Sequence, residues 1–528
     1  MGPRLLAAGM LWLAGCNCGD DPAAEPASGS TGFAAPVEAV PPVVDDGPPR
    51  GTLAVQHGRA LSQRVLDDVT GLDLAFALDD RLGQLDELDA TDVCTSVDLP
   101  EVLARAPKLR SLRISGCANL AAALAGATQI EQLTLAELEL DPSIVAALAT
   151  LSGLRRLELV RVTTPEKLEL EPLEALALRE VTMLELTRGT VLERALDLWP
   201  RTLTRARLVG RWAGHDAMLS LSKVESLEVL ELDDTRIGNF SLNQIKPLSR
   251  LREISWAGDT FNDNSPLYFR ELPVVKFSCD CPRFGDGGLH TLRHCESVEV
   301  LELLRSSVSG PGLAALARLP ALKQLKLVDR DIGTAGLDAL QQVPTLRWLE
   351  LSGDFADGRM EHLGSLVWLE RLRLHAPAVD DHAAAEIGNL HALRELDLAG
   401  TQISDVGLAA FAGLTRLETL VLSQTRVTNR GLAHLATLGN LRHLMLDHTD
   451  VVDAGAVHLG QLVTLESLRL DHTLVTDAAI EPLLKLVQLR RLDVSATVVT
   501  PAGAARLASL PKLTELILAP ESEPPQAR

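Results

Sequence analysis

Two short segments of the chain carry side chains suited to chemistry. Asp447-His448-Thr449 recurs 24 residues later as Asp471-His472-Thr473. Two imidazoles and two carboxylates, with His443 nearby, make a donor set of the kind that holds zinc or a similar divalent metal. A metal-dependent hydrolase built on this edge is the enzymatic reading of the chain. Hydrolysis would also need an open metal position or a nucleophile, and neither is visible. The sequence has no glycine-rich phosphate loop, no nucleophile elbow, no HExxH pair and no kinase set. The plainer reading is a solvated edge duplicated with the segment that bears it. On that reading the protein has no cofactor and is not an enzyme.

The duplication belongs to a longer pattern. Leu393, Leu396, Leu398, Thr401, Ile403, Gly407 and Leu408 return as Leu417, Leu420, Leu422, Thr425, Val427, Gly431 and Leu432, and again from Leu441. Sliding this template gives nineteen starts from Leu85 to Leu513, and thirteen of the eighteen intervals are 24. The fifth start is taken as Val181, although Leu173, Leu176 and Leu178 offer a competing register. In Leu-x-x-Leu-x-Leu the last two leucines lie two apart, so they share one side of a short strand. Thr401, Thr425, Thr449, Thr473 and Thr497 stand where the chain leaves the strand, as a row of hydroxyls able to satisfy backbone groups of adjacent coils. Ser404, Thr428, Thr476 and Thr500 read as helix N-caps, with Pro501 at a first helical position. Asp405 and Asp477 sit where the helix dipole favours acid. One such unit cannot close a core; a stack can.

This pattern resembles the leucine-rich-repeat family over residues 85–518, and Gly312-Leu313-Ala314-Ala315-Leu316 looks most like its GALA-type and cysteine-containing subclasses. The resemblance implies an α/β solenoid, horseshoe-shaped, with a concave parallel β-sheet and short convex helices. It also implies a protein or peptide ligand bound on the concave face. Residues 51–84 show no convincing F-box and are read as an N-terminal cap.

With the register in hand, Trp348 falls on the concave face. Neighbouring strands place Gln324 and Lys326 on one side of it, and Arg371, Arg373 and His375 on the other. A tryptophan among arginines is a typical interface anchor, or else a surface aromatic stacked on a guanidinium. Concave charge changes along the chain, from Glu228 and Glu231 to Lys323 and Lys326 and then to Arg371 and Arg373. The expected ligand is therefore an acidic protein segment docking on an apolar anchor ringed by positive charge. His434 and His458 fall on the convex side. Leu444 and Leu468 should be buried, and Asp447 and Asp471 accessible.

Aromatics are only 3% of the chain, so the core must be aliphatic. Trp256, Phe261, Phe269, Phe277 and Phe284 all fall at inward positions, and only Tyr268 points outward. Cys279 and Cys295 replace inward leucines. Cys94 and Cys117, on adjacent coils, could form a disulfide in an oxidising compartment; Cys281 and Cys18 have no assigned partner.

The N-terminus reads as an export signal. Arg4 precedes the apolar run Leu5 to Leu13, which is too short to span a bilayer. Leu13-Ala14-Gly15-Cys16 resembles the lipobox of bacterial lipoproteins, which implies cleavage before Cys16 and lipidation of that residue. Residues 1–15 are then a signal peptide, and 16–50, rich in Pro, Ala and acid, an unstructured tether. The tail 519–528 is read as disordered too. Asn17 is not the Asp that the lipoprotein sorting rule links to the inner membrane, which points to the outer membrane of a bacterial envelope. The net charge of −21 opposes nucleic-acid binding, which needs basic surface to neutralise phosphates. The sequence therefore describes a lipid-anchored binding scaffold. A hydrolase and a purely structural envelope protein remain its rivals.

Overall fold

Each Leu-x-x-Leu-x-Leu unit buries its leucines against the next. The computed structural model describes residues 86–90, 99–116, 119–186, 191–328, 332–353 and 360–518. The expectations for residues 1–84, for Cys16, Cys18, Cys94 and Cys117, and for the tail lie outside these residues. Among the described residues, nineteen strands form one sheet, from Glu87–Ala90 to Glu515–Ile517. Each pairs in parallel with its neighbours in chain order. Short α- or 3₁₀-helices return the chain between strands, for example Asp405–Ala410, Gly431–Thr437 and Asp453–Leu459. Leu396, Leu420, Leu444, Leu468 and Leu492 lie side by side in register, each fully buried. Burying one such side chain contributes about 1.5–3 kcal/mol, so the expected burial of Leu444 and Leu468 holds.

The fifth coil corrects the register. Its strand is Glu180–Leu184, which pairs Val181 with Leu157 and Ala206. The coil therefore starts at Leu178, not Val181. Leu173-x-x-Leu176-x-Leu178 mimics the strand motif, but residues Glu171–Ala175 form a 3₁₀ helix whose Leu173 packs inward.

The eighth residue of the coil, counted from its first leucine, has a left-handed backbone in fourteen of the described coils, including Glu137, Asp234, Arg305, Gln424, His448 and His472. That conformation costs a non-glycine residue on the order of 1 kcal/mol. In return the amide extends the parallel ladder past the strand: Gln424 N–H donates to the Asp447 carbonyl at 3.0 Å and His448 N–H to that of Asp471 at 3.1 Å. Cys281 occupies the same position without the left-handed turn and is joined to Cys279 in a disulfide. Cys279 is buried as expected, but as a disulfide rather than a thiol. Cys295 is a buried thiol whose pKa burial pushes up to about 12.

The threonine row works differently from expectation. Thr425, Thr449 and Thr473 donate to carbonyls of their own coil, Leu422, Leu446 and Leu470, each at 2.6 Å. The hydroxyl closes its own turn and does not bridge coils. Ser404, Thr476 and Thr500 do cap helices, and Pro501 follows its cap as read. Thr428 accepts from the Arg430 amide at 3.4 Å, though its 3₁₀ helix begins only at Gly431. The five rings expected inside are fully buried, with Trp256 stacked on Phe261 at 4.9 Å and edge-on to Phe277 at 5.3 Å. Tyr268 is half-buried and packs against this core rather than pointing away.

Candidate functional site

Trp348 opens the strand Trp348–Ser352 and faces away from the leucine core, between Gln324 and Arg371 in register. Among the described strands it is the one aromatic residue on this open face. Its ring is half-buried, with the Arg373 guanidinium 5.5 Å from its centroid. The indole N–H is covered and has no hydrogen-bond partner among the described residues. The stacking on Arg373 is the cation–π arrangement that the sequence offered as an alternative.

Lys326, Arg371, Arg373 and His375 all lie on the same face, as expected. The structure also sets carboxylates against them. Lys326 Nζ is 2.8 Å from Glu350 Oε1, and Arg373 Nη1 is 3.7 Å from Glu350 Oε2. Arg371 Nε is 3.2 Å from Glu395 Oε1. His375 Nε2 is 3.0 Å from Asp397 Oδ2, with Arg373 Nε at 3.9 Å from the same oxygen. Glu350 is only 6% exposed, and a carboxylate that deep is retained only when paired. The anchor is therefore ringed by compensated charge, not by the positive field read from the sequence. Elsewhere on the face Glu231 pairs with Arg205 at 2.8 Å, and Lys323 with Glu299 at 2.8 Å.

The pairing tunes the titrating groups. The Asp397 carboxylate beside His375 holds its imidazole above the ordinary 6.5, although burial works the other way. Burial pushes Asp397 up, but His375, the Ala399 amide and Arg373 together hold it below the ordinary 3.8. A shallow depression begins at these residues, lined by Arg371, Arg373, Glu395, Asp397, Thr419 and Val421.

Glu350, Glu395 and Asp397 are the residues the sequence reading missed. Their signal was available: Lys326, Glu350, Arg373 and Asp397 are direct register partners on successive strands. Applying the leucine register to the charges would have found them.

The His–Asp edge is partly assembled. His448, Asp471 and His472 bring their ligand atoms within 4.8 Å of one another. The two rings stack with centroids 4.1 Å apart. His443 belongs to the strand His443–Met445 and is not part of this group. Asp447 and Asp471 are buried, each 6% exposed, which corrects the expectation that they are accessible. Both carboxylates are engaged: Asp447 Oδ1 accepts from the Ser423 hydroxyl at 2.6 Å, and Asp471 Oδ1 lies 3.2 Å from Arg469 Nη2.

Comparison with known proteins places these features in a family setting. Residues 331–526 match the family model described as a leucine-rich repeat region. No curated protein matches the chain. Among solved structures, TLR13 in complex with ssRNA13 is similar with a TM-score of 0.54 at 18% identity, covering 85% of this chain and 76% of that one. The internalin InlF of Listeria monocytogenes is 17% identical over 76% of this chain and 96% of its own, with a TM-score of 0.33. A leucine-rich-repeat protein of Leptospira interrogans is 15% identical over 85% and 98%, with a TM-score of 0.34. At these identities the TLR13 likeness speaks to the fold.

Proposed function

We propose that this chain, a leucine-rich-repeat protein, is a scaffold that binds a protein or peptide segment on the open face of its sheet around Trp348. One observation carries the reading: a single aromatic on that face, half-buried, its surroundings held by paired Lys326, Arg371, Arg373 and His375. Anchors of this kind, a large ring in a rigid polar rim, dominate protein interfaces. Because Glu350, Glu395 and Asp397 compensate the basic groups, the ligand is selected by an apolar contact and by exchange of ion pairs. Net attraction of an acidic segment contributes less than the sequence suggested.

Nucleic acid is not the ligand on this reading. The structural neighbour TLR13 holds RNA, but a chain of net charge −21 whose Lys326, Arg371 and Arg373 around Trp348 are already paired has little left there to neutralise phosphates. Nor is it read as an enzyme, because a run of repeats supplies surface rather than a closed reaction site.

The location is also a proposal. Arg4, the Leu5–Leu13 run and Cys16 stand in the order of a lipoprotein signal, which supports lipid anchoring to a bacterial envelope, the outer membrane being favoured. No helix among the described residues is long and apolar enough to cross a membrane.

The test is capture from native envelope extracts by the purified protein and by its Trp348→Ala variant. A partner retained by the first and lost by the second supports the reading. A partner held equally by both places the binding site elsewhere.

A further inference from the structure

We propose that His448, His472 and Asp471 form a surface site for one divalent transition-metal ion, on the edge of the sheet where the strands end. Both histidines occupy the left-handed eighth position of adjacent coils, with φ of 55° at each. His448 N–H donates to the Asp471 carbonyl at 3.1 Å, and His472 N–H to that of Ser495 at 3.2 Å. Two imidazoles are thus presented in register from a fixed ladder, where Gly400, Gln424 and Ala496 stand in the flanking coils. The rings already lie face to face at 4.1 Å.

Asp471 supplies the third donor, and its two oxygens are divided. Oδ1 is held by Arg469, at 3.2 Å from Nη2 and 3.3 Å from Nε. Oδ2 faces the histidines, 3.2 Å from His472 Nδ1. The guanidinium therefore fixes the carboxylate without consuming the oxygen that a metal would take. Asp447 stands differently: Ser423 holds its Oδ1, and its Oδ2 is 3.6 Å from His448 Nδ1 and 3.7 Å from Arg469 Nη2. We leave it outside the ligand set.

Two nitrogens and one oxygen suit Zn²⁺, Co²⁺, Ni²⁺ or Cu²⁺ rather than Ca²⁺ or Mg²⁺, which prefer oxygen alone. Metal–ligand bonds of about 2.0–2.1 Å put tetrahedral ligand atoms roughly 3.3 Å apart. The three atoms are within 4.8 Å now. Metal binding requires the two stacked, exposed rings to rotate until their nitrogens converge with Asp471 Oδ2. The remaining positions on the metal face solvent, so the site takes up metal from solution and joins two successive coils.

The probe is Zn²⁺, titrated calorimetrically into the full-length protein with its accessible thiols alkylated, so that cysteine contributes no ligand. One ion per chain should bind, with an affinity lower by at least about tenfold in His448→Ala and in His472→Ala, and unchanged in His434→Ala, which lies in the helical segment Gly431–Thr437. Asp471→Asn should weaken binding as well. The histidines are exposed, so their alanine variants keep the fold, and circular dichroism verifies this. Absence of Zn²⁺ binding to the wild-type protein, or wild-type affinity in both histidine variants, overturns the proposal.

Discussion

Asp405 accepts two hydrogen bonds from Thr428 of the next coil, one from its amide at 2.8 Å and one from its hydroxyl at 2.6 Å. Asp381 holds Ser404 in the same way, Asp453 holds Thr476, and Asp477 holds Thr500. These aspartates do more than complement a helix dipole: each ties the start of one convex segment to the next. The carboxylate also explains the recurring glycine. A Cβ on Gly431 would stand 2.5 Å from Asp405 Oδ1 and 2.8 Å from Leu408 Cδ1.

Removing this link should show in chemical unfolding. Asp405→Ala leaves the Thr428 amide without its acceptor and should cost about 1–2 kcal/mol. Gly431→Ala should cost about 1–3 kcal/mol by overpacking against the same carboxylate. The two residues touch, so the double variant should lose less than the sum. Additive losses in urea titrations would separate the glycine from the aspartate.

Leu444 and Leu468 are register partners in the middle of a leucine row. Leu→Ala at either should destabilise the chain by about 2–5 kcal/mol, because rigid neighbouring coils leave a cavity. Stability measured by denaturant is the readout, and a loss well under 1 kcal/mol at both would contradict the packing described.

The His375–Asp397 pair should leave a signature in pH. His375 is raised above 6.5, so its contribution is fully present below that value and is lost as pH rises through the folded pKa. Asp397 is lowered below 3.8, so its contribution is present above that value and is lost as pH falls through the folded pKa. The pair therefore supports the fold most strongly between pH 3.8 and 6.5. An NMR titration should place the His375 midpoint above 6.5 in the wild type and lower it in Asp397→Asn. An unmoved midpoint in that variant would remove Asp397 as the cause.

The leucine ladder was legible because its signal is periodic and chemically uniform. Leu393 to Leu398 and its copies allow one strand, one inward side and one spacing. The fifth coil failed for the same reason: Leu173, Leu176 and Leu178 carry the strand spelling, and only the pairing of Val181 with Leu157 shows which copy is the strand. Trp348 was readable as an outward residue. The ion pairs around it, such as Lys326–Glu350, act across strands, so they emerge only when the leucine register is applied to the charged positions as well. The burial of Asp447 and Asp471 was not legible, because it comes with partners outside the Asp-His-Thr copies, Ser423 for one and Arg469 for the other.

Anchoring rests on Cys16. Cys16→Ser should move the protein from the detergent phase to the aqueous phase in phase partitioning of cells that express it. Retention of the variant in the detergent phase would show that the Cys16 lipid is not what holds it.

The central claim is that the open face binds through Trp348, and the most direct measurement is the affinity of the captured partner for folded wild-type and Trp348→Ala proteins. The account predicts a loss of at least about 1–2 kcal/mol, roughly five- to thirtyfold in Kd, carried mainly by faster dissociation. Arg371→Ala should change the association rate and its salt dependence only modestly, because Glu395 already compensates that charge. Unchanged affinity in Trp348→Ala would contradict the account.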